Sequence, residues 1–113
     1  MAVERGEIYW IDFGVPRGSE QGERRPALVV QNDVGNRHSL TTVVAAITSK
    51  QKKIYPFHVE ITACESGLYQ DSTILLEQLL TVSQDRLISR CGKLSAAKMT
   101  EVDAALRISL ALQ

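Results

Sequence analysis

Through Leu94 the apolar positions of this chain come in short unbroken runs or in strict alternation, and from Ser95 onward they recur at spacings of three and four. The first pattern predicts strands and the second a helix. Glu7–Phe13 (EIYWIDF) sets Ile8 and Trp10 on one face, and its aromatic and β-branched content suits a strand. Gly14–Glu23 holds three glycines and a proline without apolar period, which is loop composition. Pro26–Gln31 (PALVVQ) and Thr42–Ile47 (TVVAAI) are continuous apolar runs, as expected of strands covered on both faces. The turn-rich connector Asn32–Arg37 between them predicts an antiparallel hairpin. Phe57–Ile61 alternates, with Phe57, Val59 and Ile61 directed inward and His58 and Glu60 toward solvent. Ser72–Leu80 and Leu87–Leu94 complete about six strands. Ser95 is a good N-cap for a helix running to the C-terminus, with Met99, Val102, Leu106 and Leu110 on one stripe. Ile108 and Leu112 lie off that stripe, so the end of the helix asks for cover from a second side, and a subunit interface is the natural candidate. The sum is a mainly β domain, a small, curled, partly closed barrel with one C-terminal α-helix.

Length then limits this to one domain over 1–113, with no Pro/Gly-rich linker and no repeat to divide it. Thirteen basic residues balance thirteen acidic ones, so any nucleic-acid site must be a local patch and not a property of the whole surface. Basic residues gather in two loops, Arg17, Arg24 and Arg25 in the first and Lys50, Lys52 and Lys53 in the second. Loops carry charge because they are wet, and charge alone does not separate that reading from a phosphate footprint. Cys64 and Cys91 lack CxxC spacing and read as free thiols in a reducing cytosol. No apolar run approaches membrane length, and the charged N-terminal stretch MAVERGEIYW does not read as a signal peptide, so a cytoplasmic protein is expected.

The hairpin has a chemical consequence. Arg25 opens its first strand and Thr48 closes its second, so antiparallel pairing brings both to one end of one ladder, with Cβ atoms about 5 Å apart if directly opposed. A guanidinium offers a planar fork of donors that matches phosphate oxygens. A threonine hydroxyl is too weak an acid to act alone as a general base and suits a hydrogen-bonding or positioning role. On spacing alone, an arginine and a threonine at strand ends are more often a surface charge and a β-former. Other chemistries find less support. Nothing brings His38 and His58 together as a histidine pair, and both read as surface residues. His58-Val59-Glu60 lacks the cysteine element of a zinc deaminase, and neither a metal cage nor a phosphate-binding glycine loop has suitable spacing. No cofactor or metal is implied.

Four segments, RGEIYWIDF, GSEQGERRPALVVQNDVGNR, VVAAIT and DSTILLEQ, resemble the MazF/PemK toxins in order and spacing over nearly the whole chain, and most nearly the Gram-positive MazF branch. The resemblance implies a Src-homology-3-like barrel of the MazF/CcdB/Kid type, a homodimer, and a cognate MazE-like antitoxin. It implies metal-independent cleavage of single-stranded RNA, including mRNA, at short motifs, leaving a 5′-hydroxyl. Catalytic roles then fall on Arg25 and Thr48, and RNA reading or positioning on Ser19, Glu20 and Gln21 in the first loop and on the strand-end pair Glu77-Gln78. Two departures from close relatives bear on sequence preference: Arg17 stands where they tend to carry an apolar residue, and the connector before Tyr55 is one residue short. The same fold also serves CcdB-like gyrase poisons, which cleave nothing. They lack the arginine-proline and AAIT pair and use an aromatic C-terminal end, whereas this chain closes with Leu110-Ala111-Leu112-Gln113. A non-catalytic RNA-binding module and an inactivated toxin are further alternatives, each predicting binding without product.

Overall fold

The apolar runs form strands and the three-four pattern forms a helix. The computed structural model describes residues 3–14 and 24–113. The elements run β1 (Glu7–Asp12), β2 (Arg24–Val29), α1 (Asp33–His38), β3 (Thr41–Thr48), β4 (His58–Ile61), α2 (Ala63–Ser66), β5 (Ser72–Ser83), β6 (Leu87–Lys93) and α3 (Ala96–Ser109). One curled sheet holds all six strands in the order β4-β5-β3-β2-β1-β6, and every neighbouring pair is antiparallel.

The two unbroken apolar runs are indeed covered on both faces, because alternate residues serve different cores. Leu28, Ala45, Ile47, Ile74 and Val59 join the larger cluster, which α3 closes with Val102 and Ala105. Ala27, Val29, Val44 and Ile11 join a second cluster on the other face, with Tyr9 and Phe13 packed against it. Helix α3 starts as expected, the Ser95 hydroxyl accepting from the Lys98 amide at 3.2 Å. It stops at Ser109, short of the C-terminus, because Ala111 turns to φ 56° and the Leu112 amide closes back on the Arg107 carbonyl at 2.8 Å. Leu110 therefore leaves the buried stripe and is exposed, as are Ile108 and Leu112.

Two short helices differ from the sequence reading. The connector after β2 is α1, a helical turn and a half: the Asn32 side chain caps it by accepting from the Gly35 amide at 2.8 Å, and Asp33 at its start and Arg37 and His38 at its end complement the helix dipole. The same Asx and Gly residues that suggest a turn here initiate a helix, which buried Asn36 anchors through Gln31 and Thr42. Between β4 and β5, α2 carries a reciprocal capping box, Thr62 with Glu65, and ends at Gly67 with φ 81°.

The curled sheet closes without pairing its two edge strands. The C-terminal end of α2 lies against β6 so tightly that a Cβ on Gly67 would stand 2.2 Å from the Cys91 carbonyl oxygen, and one on Gly92 would stand 2.6 Å from the Ser66 carbonyl oxygen. Both obstacles are backbone, so Gly92→Ala should cost about 1–3 kcal/mol and lower Tm by about 4 °C or more; an unchanged melting curve would deny this closure. Both cysteines are free, Cys64 exposed and Cys91 half-buried against the larger core. Burial pushes the Cys91 thiol up from its ordinary value and so reduces its thiolate at pH 8. Iodoacetamide at that pH should label Cys64 well before Cys91 by mass spectrometry; equal rates would contradict the packing.

Candidate active site

Strand register builds the site. In β2–β3 the pairs are Ala27 with Ala46, Leu28 with Ala45 and Val29 with Val44. Continued by two residues, the same register sets Arg25 opposite Thr48. Arg25 also pairs with Ile11 of β1, and Thr48 with Thr73 of β5, which in turn pairs with Glu60 of β4. Because side chains alternate strictly along strands, this row and the row two residues away, Tyr9–Ala27–Ala46–Leu75–His58, share one face of the sheet. That face opens as a groove of about 860 Å³ whose lining includes Arg25, Thr48, Lys50, Tyr69, Leu75 and Gln78.

Arg25 is exposed and Thr48 half-buried. The Thr48 Oγ1 accepts from the Lys50 amide at 3.2 Å, a side-chain turn that fixes the oxygen and leaves its proton to donate. The lysines of the following loop rise beside this point, and Lys53 Nζ lies 5.1 Å from the centroid of the Tyr55 ring.

Strand β5 adds an irregularity. Leu75 faces Ala46, but the next partnered residue, Leu79, faces Ala45, so Leu76, Glu77 and Gln78 have no partner in β3. The outpouching is held from outside the ladder: the Leu76 amide donates to the Phe57 carbonyl at 3.2 Å, and the Ser109 hydroxyl of α3 donates to the Leu76 carbonyl at 2.8 Å. Glu77 and Gln78 are both exposed. They sit within a twelve-residue strand and not at a strand end, since β5 runs on to Ser83.

His58 departs from expectation. Alternation does direct it away from Val59 and Ile61, but that face is not solvent there, and the His58 side chain is only 1% exposed. The strand starts at His58, so Phe57 is outside the alternation; Tyr55-Pro56-Phe57-His58 forms a tight turn, closed by the His58 amide on the Tyr55 carbonyl at 2.9 Å, with proline at its second position. The turn folds the Tyr55 and Phe57 rings over the imidazole. Those two rings are parallel at 5.4 Å, and both meet His58 edge-on, at 5.6 and 4.7 Å. His38 is exposed, as expected. Ser19, Glu20 and Gln21, with Arg17, lie outside the described residues. Among the described residues no three His, Cys, Asp or Glu side chains form a group able to hold a metal ion.

Comparison with known proteins assigns residues 4–110 to the PemK-like, MazF-like toxins of type II toxin-antitoxin systems. The chain is 51% identical over 113 residues to endoribonuclease EndoA of Bacillus subtilis (strain 168), covering 99% of this chain and 97% of that one. The chain belongs to the PemK/MazF family. Solved structures agree with the fold: an endoribonuclease in complex with its cognate antitoxin from Mycobacterial species (26% identity, 99% and 98% of the two chains, TM-score 0.83) and MazF from Deinococcus radiodurans (26%, 98% and 98%, TM-score 0.75). This MazF-like toxin is an endoribonuclease, which sets aside the gyrase-poison alternative. Of the residues singled out in the MazF-like sequence, the structure brings Arg25, Thr48 and Gln78 to one groove, with Glu77 adjoining. His58 was missed because its burial comes from a turn folding back, which periodicity does not encode.

Proposed function

We infer that this MazF-like toxin cleaves single-stranded RNA at short sequence motifs, without a metal, using Arg25 and Thr48, and leaves a 5′-hydroxyl. The observation that carries this reading is the β2–β3 register, which brings a guanidinium and an oriented hydroxyl to one open groove. In the proposed reaction the ribose 2′-oxygen attacks phosphorus as its proton departs, the bond from phosphorus to the 5′-oxygen breaks, and that oxygen takes up a proton. A 2′,3′-cyclic phosphate and a 5′-hydroxyl result. Negative charge grows on the non-bridging oxygens, and Arg25 supplies a planar pair of donors that stays cationic throughout. Thr48, its oxygen fixed by the Lys50 amide, donates to the phosphate and holds it in register. Base reading falls to Glu77 and Gln78 and, outside the described residues, to Ser19, Glu20 and Gln21. Carboxylates and amides suit base edges, whereas a carboxylate repels phosphate.

The partners follow the same reasoning. The exposed apolar residues at the C-terminal end, Ile108 in the last turn of α3 and Leu110 and Leu112 just beyond it, support a homodimer. The antitoxin-bound relative supports neutralisation by a cognate MazE-like antitoxin. No helix among the described residues is long and apolar enough to cross a membrane, and a cytoplasmic location suits an mRNA substrate.

Incubating purified protein with a long transcript in EDTA and mapping new 5′-ends tests the reading. Discrete cuts should persist in EDTA, fall by about 10²–10³ in Arg25→Ala and by about tenfold in Thr48→Ala. Cutting that requires a metal, or that ignores both substitutions, would overturn it. Because the basic patch is small, the logarithm of RNA affinity should fall with the logarithm of salt at a slope of about −3 or shallower. A much steeper slope would mean a wider phosphate footprint. Light scattering at assay concentration should report a dimer, and a monomer would remove the interface role of α3.

A further inference from the structure

The buried imidazole of His58 makes two hydrogen bonds that together fix its chemistry. Its Nδ1 accepts from the Tyr55 amide at 3.1 Å, so that nitrogen carries no proton. Its Nε2, 3.1 Å from Glu77 Oε2, is then the protonated nitrogen and donates to the carboxylate. The ring cannot turn away, because the Tyr55 and Phe57 rings pack edge-on against it and the 55–58 turn holds its backbone. Glu77, by contrast, keeps 38% of its side-chain surface exposed, and it sits where β5 has no β3 partner to orient it. A carboxylate on such a segment would sample several rotamers, each one a loss when it must meet a base edge. One rigid donor removes that freedom.

We propose that His58 is a positioning residue for RNA recognition, aiming the Glu77 carboxylate as an acceptor toward a nucleobase amino group at the groove. The proposal rests on the reading that Glu77 contacts RNA. It gives the 53–58 segment a role: the turn and its stacked rings form a rigid mount behind one specificity contact. Cytosine, adenine and guanine can each donate an exocyclic amine to the carboxylate, whereas the exocyclic groups of uracil are both carbonyl acceptors and leave only its ring N3–H to donate.

The test uses the intact protein and a synthetic RNA oligonucleotide spanning one cut site mapped on the long transcript. His58→Leu should raise KM about three- to tenfold while kcat stays within about twofold. His58→Gln, whose amide nitrogen reaches the Nε2 position, should restore most of the loss. In a Glu77→Ala background His58→Leu should add nothing, since the two act as a unit. If Glu77→Ala leaves KM unchanged, the contact of Glu77 with RNA falls, and the proposal falls with it. If Glu77→Ala raises KM but His58→Leu matches the unsubstituted protein, or the two effects multiply, the proposal alone is overturned. A readout independent of folding in the variants is the long-range ¹H–¹⁵N spectrum of the unsubstituted protein. A proton on Nε2 supports the arrangement, and a proton on Nδ1 refutes it.

Discussion

Parity in the antiparallel ladder is the constraint on which the rest of this structure depends. A strand has two faces and a one-residue slip exchanges them, so the pairing of Ala27 with Ala46 fixes which side of the sheet Arg25 and Thr48 occupy. The same pairing assigns Leu28 and Ala45 to the helix-covered core and Val29 and Val44 to the smaller one. Placement of the proposed catalytic pair and packing of the cores are thus one decision. A one-residue slip, which would put the guanidinium and the hydroxyl on opposite faces, would also carry fully buried aliphatic side chains toward water, at roughly 25 cal/mol for each Å² exposed. The site is protected by the cost of spoiling the core.

This coupling explains why the fold and the placement of Arg25 and Thr48 on one groove were legible from sequence. The runs PALVVQ and TVVAAI identify two doubly covered strands, and antiparallel pairing follows from the short connector between them. The MazF resemblance adds to this geometric neighbourhood the proposal that it is catalytic. Local capping chemistry was harder to read. Asn32 and Gly35 resemble turn residues and instead start a helix, while α2 rests on a Thr-x-x-Glu capping box followed by glycine, a signal present in the sequence as Thr62, Glu65 and Gly67 but attached to a helix only four residues long. The departures at His58 and Glu77 have another origin. Alternation assigns faces correctly but does not say what covers a face, and a bulge suspends alternation altogether.

The groove divides its work between two kinds of support. Arg25 and Thr48 belong to strands paired on both sides, whose positions are set by several backbone hydrogen bonds at once. Glu77 and Gln78 stand on a segment that the ladder releases and that three other contacts hold, from the Phe57 carbonyl, the Ser109 hydroxyl and the His58 imidazole. The pair proposed to cut RNA thus stands on strands of the regular ladder, Arg25 beside Ile11 and Thr48 beside Thr73. The residues proposed to read bases stand on a part with its own separate scaffold.

The three unpartnered residues of β5 carry an evolutionary consequence. In a continuous ladder a substitution or a change of length near the site propagates through the register to every strand beyond it. Here the sheet re-enters register at Leu79 after the outpouching, so the ladder flanks the segment with a clamp on either side. If these residues read bases as proposed, substitutions here can alter which bases are preferred while the proposed cutting pair, the cores and the helix remain as they are. On that reading, one local break in a regular strand separates the choice of target from the chemistry of cutting.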